Sequence, residues 1–344
     1  MPSIGNVKVL VLLLEFNGLP PVEDQATLYN KIFGPEDTSN WLYPWESLSA
    51  FYDRSSYGKL QLTGYVAPWF NGGNRLPDPG TYGSRASYRE SLIKNAINNL
   101  ENAEHDFTQY DSDGDGYIDY IAVLWTGTNN DALWNAYYTS FNDDTYSVDG
   151  MKLPGYSWQW AASFYDPPNG QQDLVALIHE TGHALGLPDY YDKGGSGPDG
   201  GLGRLDVMDG KMGDHNAFSK FVLDWLDPTV ISTEGSHPDQ ILAPSVASGV
   251  TVPPQALLIM PNATGAEFEE YFMVEYIKRE QNAKEYPGEG LLIWHVNAVL
   301  DSGGYNYEYN NYSSTEYKLL RLMEADGQEE IETGDGLADA EDFW

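Results

Sequence analysis

His179 and His183 stand four residues apart in the run His179-Glu180-Thr181-Gly182-His183. On a helix, side chains four apart project from one face, one turn after the other. Their imidazoles can therefore converge on one metal ion, and zinc favours nitrogen ligands. Glu180, beside the first histidine, can hydrogen-bond a water in the ion's open position. Gly186 follows three residues after His183, and Pro188 soon after it. Glycine can adopt the left-handed conformation that ends a helix, and proline keeps the helix from restarting. The chain must turn there, and the turn can bring Asp189 back toward the same ion. Two imidazoles, one carboxylate and a water make the catalytic rather than the structural zinc pattern. These residues predict a zinc hydrolase, with His179, His183 and Asp189 as ligands and Glu180 as general base. Asp192 is a second candidate for the third ligand, or a hydrogen-bond partner of a ligand histidine.

A five-residue match of this kind also arises in helices that hold no metal. Here the preceding Leu174-Val175-Ala176-Leu177-Ile178 is apolar, as a buried helix is. Histidines and a glutamate in such a helix need partners, because unpaired buried polar groups are costly. A metal ion supplies them.

A second constellation is Asp111-Ser112-Asp113-Gly114-Asp115-Gly116-Tyr117-Ile118-Asp119. It repeats the start of an EF-hand loop, with carboxylates at positions one, three, five and nine, a glycine at six, and a carbonyl from Tyr117 at seven. Position twelve is Ala122, so the usual bidentate glutamate is absent and another ligand or water must complete the shell. Calcium on Asp111, Asp113, Asp115, Tyr117 and Asp119 is the expectation; the alternative is an acidic turn leading into a strand. Of the other histidines, His215 is a candidate cleft residue that could hydrogen-bond substrate or an oxyanion. His295 reads as a core histidine, and His105 and His237 as surface.

The elements that must position these residues are legible in outline. Lys8 to Leu14 is an apolar run too short to span a bilayer and without a signal-peptide cleavage site, so it reads as a buried strand. Trp45–Tyr57 has a helix-like pattern, and Lys59–Val66 reads as a strand. Residues 71–83 read as a loop, Ser87–Leu100 as a helix and Tyr117–Trp125 as a strand. The metal-binding helix is expected from about Gln172 to Leu185. Aromatic residues between Trp134 and Trp160 are expected to cap the core or line a cleft. A glycine-rich loop over 193–203 and a helix over 217–226 follow. Beyond Pro228 short β-type runs appear at 255–260, 270–278, 290–296 and 317–323, so a boundary is placed near residue 230, giving parts 1–230 and 231–344. The last 21 residues, Glu324–Trp344, carry nine acids and no basic residue. Their apolar residues Ile331, Leu337, Phe343 and Trp344 predict partial order, either as a tail or as loops carrying carboxylate ligands.

The 344 residues hold 52 acids against 18 Lys and Arg, a formal net charge of -34. That argues against nucleic acid and anionic membranes as partners, both being polyanions. It suits an exported protein that binds calcium or works in salt. The absence of cysteine excludes disulfides and thiolate metal sites. No membrane span is expected.

The signature from His179 to Asp189 resembles that of the metzincins, whose third ligand follows a glycine after the second histidine; that offset favours Asp189 over Asp192. In that group a methionine in a tight turn underlies the metal, which would make Met208 in Asp206-Val207-Met208-Asp209 the Met-turn residue. More narrowly, the chain resembles the immune inhibitor A family of secreted bacterial metallopeptidases. The similar blocks are His179 to Asp192, Leu205 to Met208, Ala217 to Lys220 with Asp224 to Leu226, Ser55 to Leu60, the loop from Asp111, and Gly290 to His295. The resemblance implies a zinc-dependent endopeptidase of broad specificity, acting outside the cell on proteins or peptides. Family members are usually made as larger precursors, so a pro-segment or an inhibitor in the cleft is an expected partner, and the targeting segment is expected to lie outside this sequence. The fold implied is an α/β (α+β) zincin or metzincin-like domain. It has a mixed twisted sheet above the cleft, the metal-binding helix as its floor, and a β-rich C-terminal part. The competing reading is a catalytically inactive zinc- and calcium-binding module on a protease fold; such a module would be expected to have lost Glu180, and this chain keeps it.

Overall fold

The computed structural model describes residues 1–75, 84–127, 134–161, 174–193, 201–210, 213–233, 235, 237, 240, 242–245, 255–260, 264–311 and 317–344. Most of the expected loop over 71–83, the first two residues of the expected metal-binding helix and most of the loop over 193–203 lie outside these. The described residues form a mixed α/β protein with several sheets and few helices. The chain divides into two compact units, residues 1–53 with 60–186, and residues 54–59 with 187–344. No described helix is long and apolar enough to cross a membrane.

In the first unit, chain order runs β1 (Gly5–Glu15), α1 (Gln25–Phe33), α2 (Leu48–Ser55), β2 (Leu60–Val66), β3 (Phe70–Asn71) and α3 (Arg85–Glu101). β4 (Tyr120–Trp125), β5 (Tyr137–Ser140), β6 (Ser147–Val148), β7 (Met151–Lys152), β8 (Gly155–Trp160) and α4 (Leu174–Ala184) follow. The main sheet has the order β2-β1-β4-β8-β5. β1 pairs in parallel with β2 and β4, and β4 with β8, while β5 closes the edge antiparallel. β1 is continuously apolar because a strand inside a parallel sheet is covered on both faces. Side chains alternate between faces along a strand. Leu10, Leu12 and Leu14 join Leu92, Ile93, Ala96 and Ile97 of α3 in one core, with Ile121, Val123, Trp125 and Trp158. The opposite face carries Tyr120 and Ser157, and α4 packs there against β8 and β5. The aromatic stretch therefore caps the core: Trp125, Trp134 and Trp158 are all fully buried and in mutual ring contact.

In the second unit, α5 (Ala217–Val222) precedes β9 (Thr229–Ile231), β10 (Ala256–Ile259), β11 (Glu270–Ile277), β12 (Gly290–Asn297), β13 (Leu320–Leu322) and the single turn α6 (Glu330–Thr333). The five strands pair in chain order, β9–β10 parallel and the others antiparallel. The change of character near residue 230 coincides with β9 and lies inside this unit. His105 is half-buried between Tyr65 and Tyr110 rather than on the surface, and burial lowers its pKa. His295 faces Glu270 at 3.0 Å on the half-exposed side of β12 rather than in the core.

α5 is held by a buried polar network. Asn216 caps its N-terminus by accepting from Ser219 N–H, and Glu275 accepts from Ala217 N–H and from Trp294 Nε1. The Lys220 ammonium sits 2.6 Å from Asp214 and also donates to Tyr57 Oη and to the Ser245 carbonyl. Lys59 donates to the Asp224 carbonyl, so the blocks Ser55–Leu60 and Ala217–Leu226 meet here. Burial alone would raise the Asp214 carboxyl, but the charge and hydrogen bond of Lys220 outweigh it and the pKa falls below 3.8. Burial would lower Lys220, and Asp214 outweighs that too, so it rises above 10.5. The sign follows for each group. A lowered carboxyl stabilises above its unfolded pKa and loses that as pH falls; a raised lysine stabilises below its own and loses that as pH rises.

Lys220→Met should therefore cost about 3–5 kcal/mol at pH 7, because it strands the buried Asp214 charge. Adding Asp214→Leu should recover a large part of the loss in urea denaturation. A double variant no more stable than the single one would show that the pair's charge is not the issue.

Candidate metal centre

α4 carries the apolar run Leu174–Ile178 straight into the histidine pair. Leu174, Val175, Leu177 and Ile178 are buried, whereas His179 and His183 are half-buried. Their ring centroids lie 4.9 Å apart and their planes are nearly perpendicular. Gly186 has φ +101°, the left-handed conformation that ends the helical segment, and its N–H donates to His183 C=O. One ligand atom from each of His179, His183 and Asp189 falls within 4.8 Å of the others. Asp189, rather than Asp192, supplies the carboxylate of that group. It is 7% exposed at the side chain, and Lys193 Nζ lies 2.6 Å from its Oδ2.

Three residues fix α4 that local sequence gives no reason to single out. Tyr52 Oη donates to Ile178 C=O at 2.7 Å from 126 residues away. Thr181 Oγ1 lies 2.7 Å from Leu177 C=O and 3.1 Å from Tyr120 Oη, which itself donates to Ser157 Oγ. Glu180 is 5% exposed. Its charge reaches Tyr120 and Tyr137, where it adds to burial in holding both phenols protonated.

Met208 lies in a tight turn in which Asp209 N–H donates to Asp206 C=O. Its own carbonyl accepts from Tyr190 N–H, one residue beyond Asp189. Asp206 is fully buried and accepts from Met208 N–H, Asn216 N–H and the Asn216 amide. Burial outweighs those donors and pushes its pKa up to about 8. The expectation of a cleft-lining His215 meets a ring only 1% exposed, edge-on to Trp225 and 3.9 Å from Asp206. In its own unit it belongs to the interior around the turn.

The acidic loop is built as its spacing suggests at the first three positions. Asp111, Asp113 and Asp115 bring one oxygen each to within 4.8 Å of one another. Asp111 accepts from the N–H groups of Gly114, Asp115 and Gly116. Gly114 and Gly116 have φ +78° and +86°, which a side chain would strain. Asp119 stands outside this trio, accepts from Ser112 N–H across the loop, and has its pKa raised chiefly by burial. The backbone of Tyr117 bridges Lys152.

The donor chemistry separates the two clusters. Two imidazoles and a carboxylate match a nitrogen-rich zinc site with room for further ligands. Three carboxylates around a glycine turn match a hard, oxygen-seeking cation.

No protein-family model matches the sequence. The chain is similar to Immune inhibitor A of Bacillus thuringiensis subsp. alesti, with 26% identity over 251 residues, covering 59% of this chain and 36% of that protein. It is also similar to the pre-pro-metalloprotease PrtV of Vibrio cholerae serotype O1, with 27% identity over 232 residues, covering 54% of this chain and 25% of that one. The two form a weak but consistent family link, and the matched region spans only about a quarter to a third of each relative.

Tyr52→Phe removes one buried hydrogen bond to α4 without opening a large cavity. It should cost about 0.5–1.5 kcal/mol in urea denaturation. A variant as stable as the wild type would show that packing alone sets the helix.

Proposed function

We propose that the protein is a zinc-dependent endopeptidase of zincin or metzincin-like fold that hydrolyses extracellular proteins. The observation that carries this is the convergence of His179, His183 and Asp189 at the end of a buried helix, with Glu180 next to the first ligand. The similarity to a protein named a metalloprotease supports peptides as the substrate class. Among zinc hydrolases, this similarity is what favours peptide bonds over other substrates.

His179, His183 and Asp189 would hold the ion, which when bound supplies Lewis acidity and lowers the pKa of a coordinated water toward about 7. Lys193 has to give up part of its hold on Asp189 for that, which an exposed lysine on a flexible stem can do. Glu180 takes the proton of the water that attacks the scissile carbonyl. It then returns that proton to the departing amine, the usual reuse of one acid–base group. Its buried setting keeps bulk water from competing for the proton. Met208 is proposed to underlie the ligands from its tight turn. His215, inside the second unit, is assigned a positioning role toward Asp206 rather than a contact with substrate.

Asp111, Asp113 and Asp115 are proposed to hold calcium, with the Tyr117 carbonyl as a further ligand. Asp119 would act through a water, as the ninth position of such loops often does. In a chain without cysteine, such an ion does the cross-linking work of a disulfide.

Glu180→Gln keeps the side chain's shape and removes its basicity. Zinc content should stay at one per chain while casein hydrolysis falls by ~10²–10⁴-fold; full zinc with near-wild-type hydrolysis would rule the mechanism out. Asp113→Asn with Asp115→Asn should remove one calcium ion per chain in equilibrium dialysis. An unchanged count would reduce the loop to a turn.

A further inference from the structure

A third group of ligand atoms lies in the acidic C-terminal segment, where no motif announces it. Glu324, Asp326, Glu330 and Asp342 each bring one oxygen to within 4.8 Å of the others. The segment is ordered by apolar and backbone contacts. Ile331 is buried, Ala325 N–H donates to Asp342 C=O, and Leu291 of β12 and Trp344 exchange backbone hydrogen bonds. Four of the eight carboxylate oxygens have backbone donors. Glu324 accepts from the N–H groups of Glu330 and Ile331, capping α6, while Asp326 accepts from Gln328 N–H and the Gln328 amide. Asp342 Oδ2 accepts from Asp339 N–H.

Two of the remaining oxygens are buried and without a donor. Asp342 is 0% exposed, and its Oδ1 has no hydrogen-bond partner; Glu330 Oε2 is likewise buried and without one. A buried carboxylate oxygen with no donor, among three other carboxylates, lacks the positive partner that such groups need. The cations nearby are engaged elsewhere: Lys318 pairs with Glu332, and Arg321 with Glu329 and Glu332. An acidic surface patch would turn its oxygens to water, whereas here Glu324 and Asp342 are buried, Glu330 is half-buried and only Asp326 is exposed.

We propose that Glu324, Asp326, Glu330 and Asp342 form a second calcium site, separate from the loop at Asp111, that fastens the C-terminal segment to the end of β13. The donor set selects the ion. All four ligands are oxygen, which disfavours zinc, and calcium accepts six to eight oxygens at irregular angles where magnesium demands an octahedron.

The test is the number of calcium ions bound by the full chain after chelation, measured by equilibrium dialysis at pH 7.5 with calcium alone. Glu330→Gln with Asp342→Asn should bind one ion fewer than the wild type. The loss should be the same in a background carrying Asp113→Asn and Asp115→Asn. Because Asp342 is buried and that variant can fail to fold, Glu330→Gln alone is the second arm. It spares the backbone cap that Glu324 provides and should weaken one site at least tenfold while the circular dichroism spectrum stays native. An unchanged count and affinity in folded Glu330→Gln would overturn the proposal and leave a cluster neutralised by protons. Loss of an ion from the Asp111 loop variant alone would overturn it equally, while leaving the loop site standing.

Discussion

Two imidazoles four apart on one helix share a face, but where that face points depends on how the helix is rotated about its axis, and that constraint governs the first unit. An eleven-residue helix is marginal in isolation, so its rotation is set by packing rather than by propensity. The apolar run before His179 is buried, and α4 packs against β8 and β5. Polar anchors then remove the remaining freedom. Tyr52 holds the carbonyl of Ile178, and Thr181 meets Tyr120, which stands on the central strand β4. β4 in turn is set by its pairing with β1, whose side chains are buried on both faces. The orientation of the histidine pair is thus a property of the whole sheet.

A chain this acidic must also decide, carboxylate by carboxylate, how each buried negative charge is tolerated. The structure uses different answers in different places. Asp111 is surrounded by backbone N–H donors, which suits a half-exposed oxygen cluster left open to a cation. Asp214 has a buried lysine, whose attraction exceeds the cost of burial and keeps the carboxylate charged. Asp206 has donors but no such cation, and burial wins, so it holds its proton to about pH 8. The same physical balance, desolvation against a partner charge, produces opposite protonation states in two aspartates eight residues apart.

Several elements were legible because their signal is local. The apolar run from Lys8 to Leu14 became the core of β1, and the period of Leu92, Ile93, Ala96, Ile97 and Leu100 became the buried face of α3. Helix spacing placed His179 and His183 together, and the position of Gly186 marked the turn that follows. In the acidic loop, alternate aspartates and a turn glycine anticipated a cluster of three carboxylates. Such features depend on residues within one or two turns of each other, where backbone geometry leaves little choice.

Other features were decided by contacts between residues far apart in the chain. No period predicts the strand order β2-β1-β4-β8-β5, or that Tyr52 reaches Ile178 across 126 residues. Lys220 and Tyr57 come from two blocks that looked unrelated, and they meet because both line one buried polar network. Asp119 follows the spacing of the loop, yet its carboxylate accepts from Ser112 N–H and is not one of the trio. His215 looked available for a cleft and lies in an interior; the acidic end left open a tail or ligand-carrying loops, and only packing brings Glu324, Asp326, Glu330 and Asp342 together. By itself, then, the sequence determined which residues can carry metal chemistry and which local elements hold them, because spacing and periodicity act through neighbouring bonds. Only the tertiary structure decided which charges are buried and what partners they meet, because burial is a property of the packed chain and not of any segment.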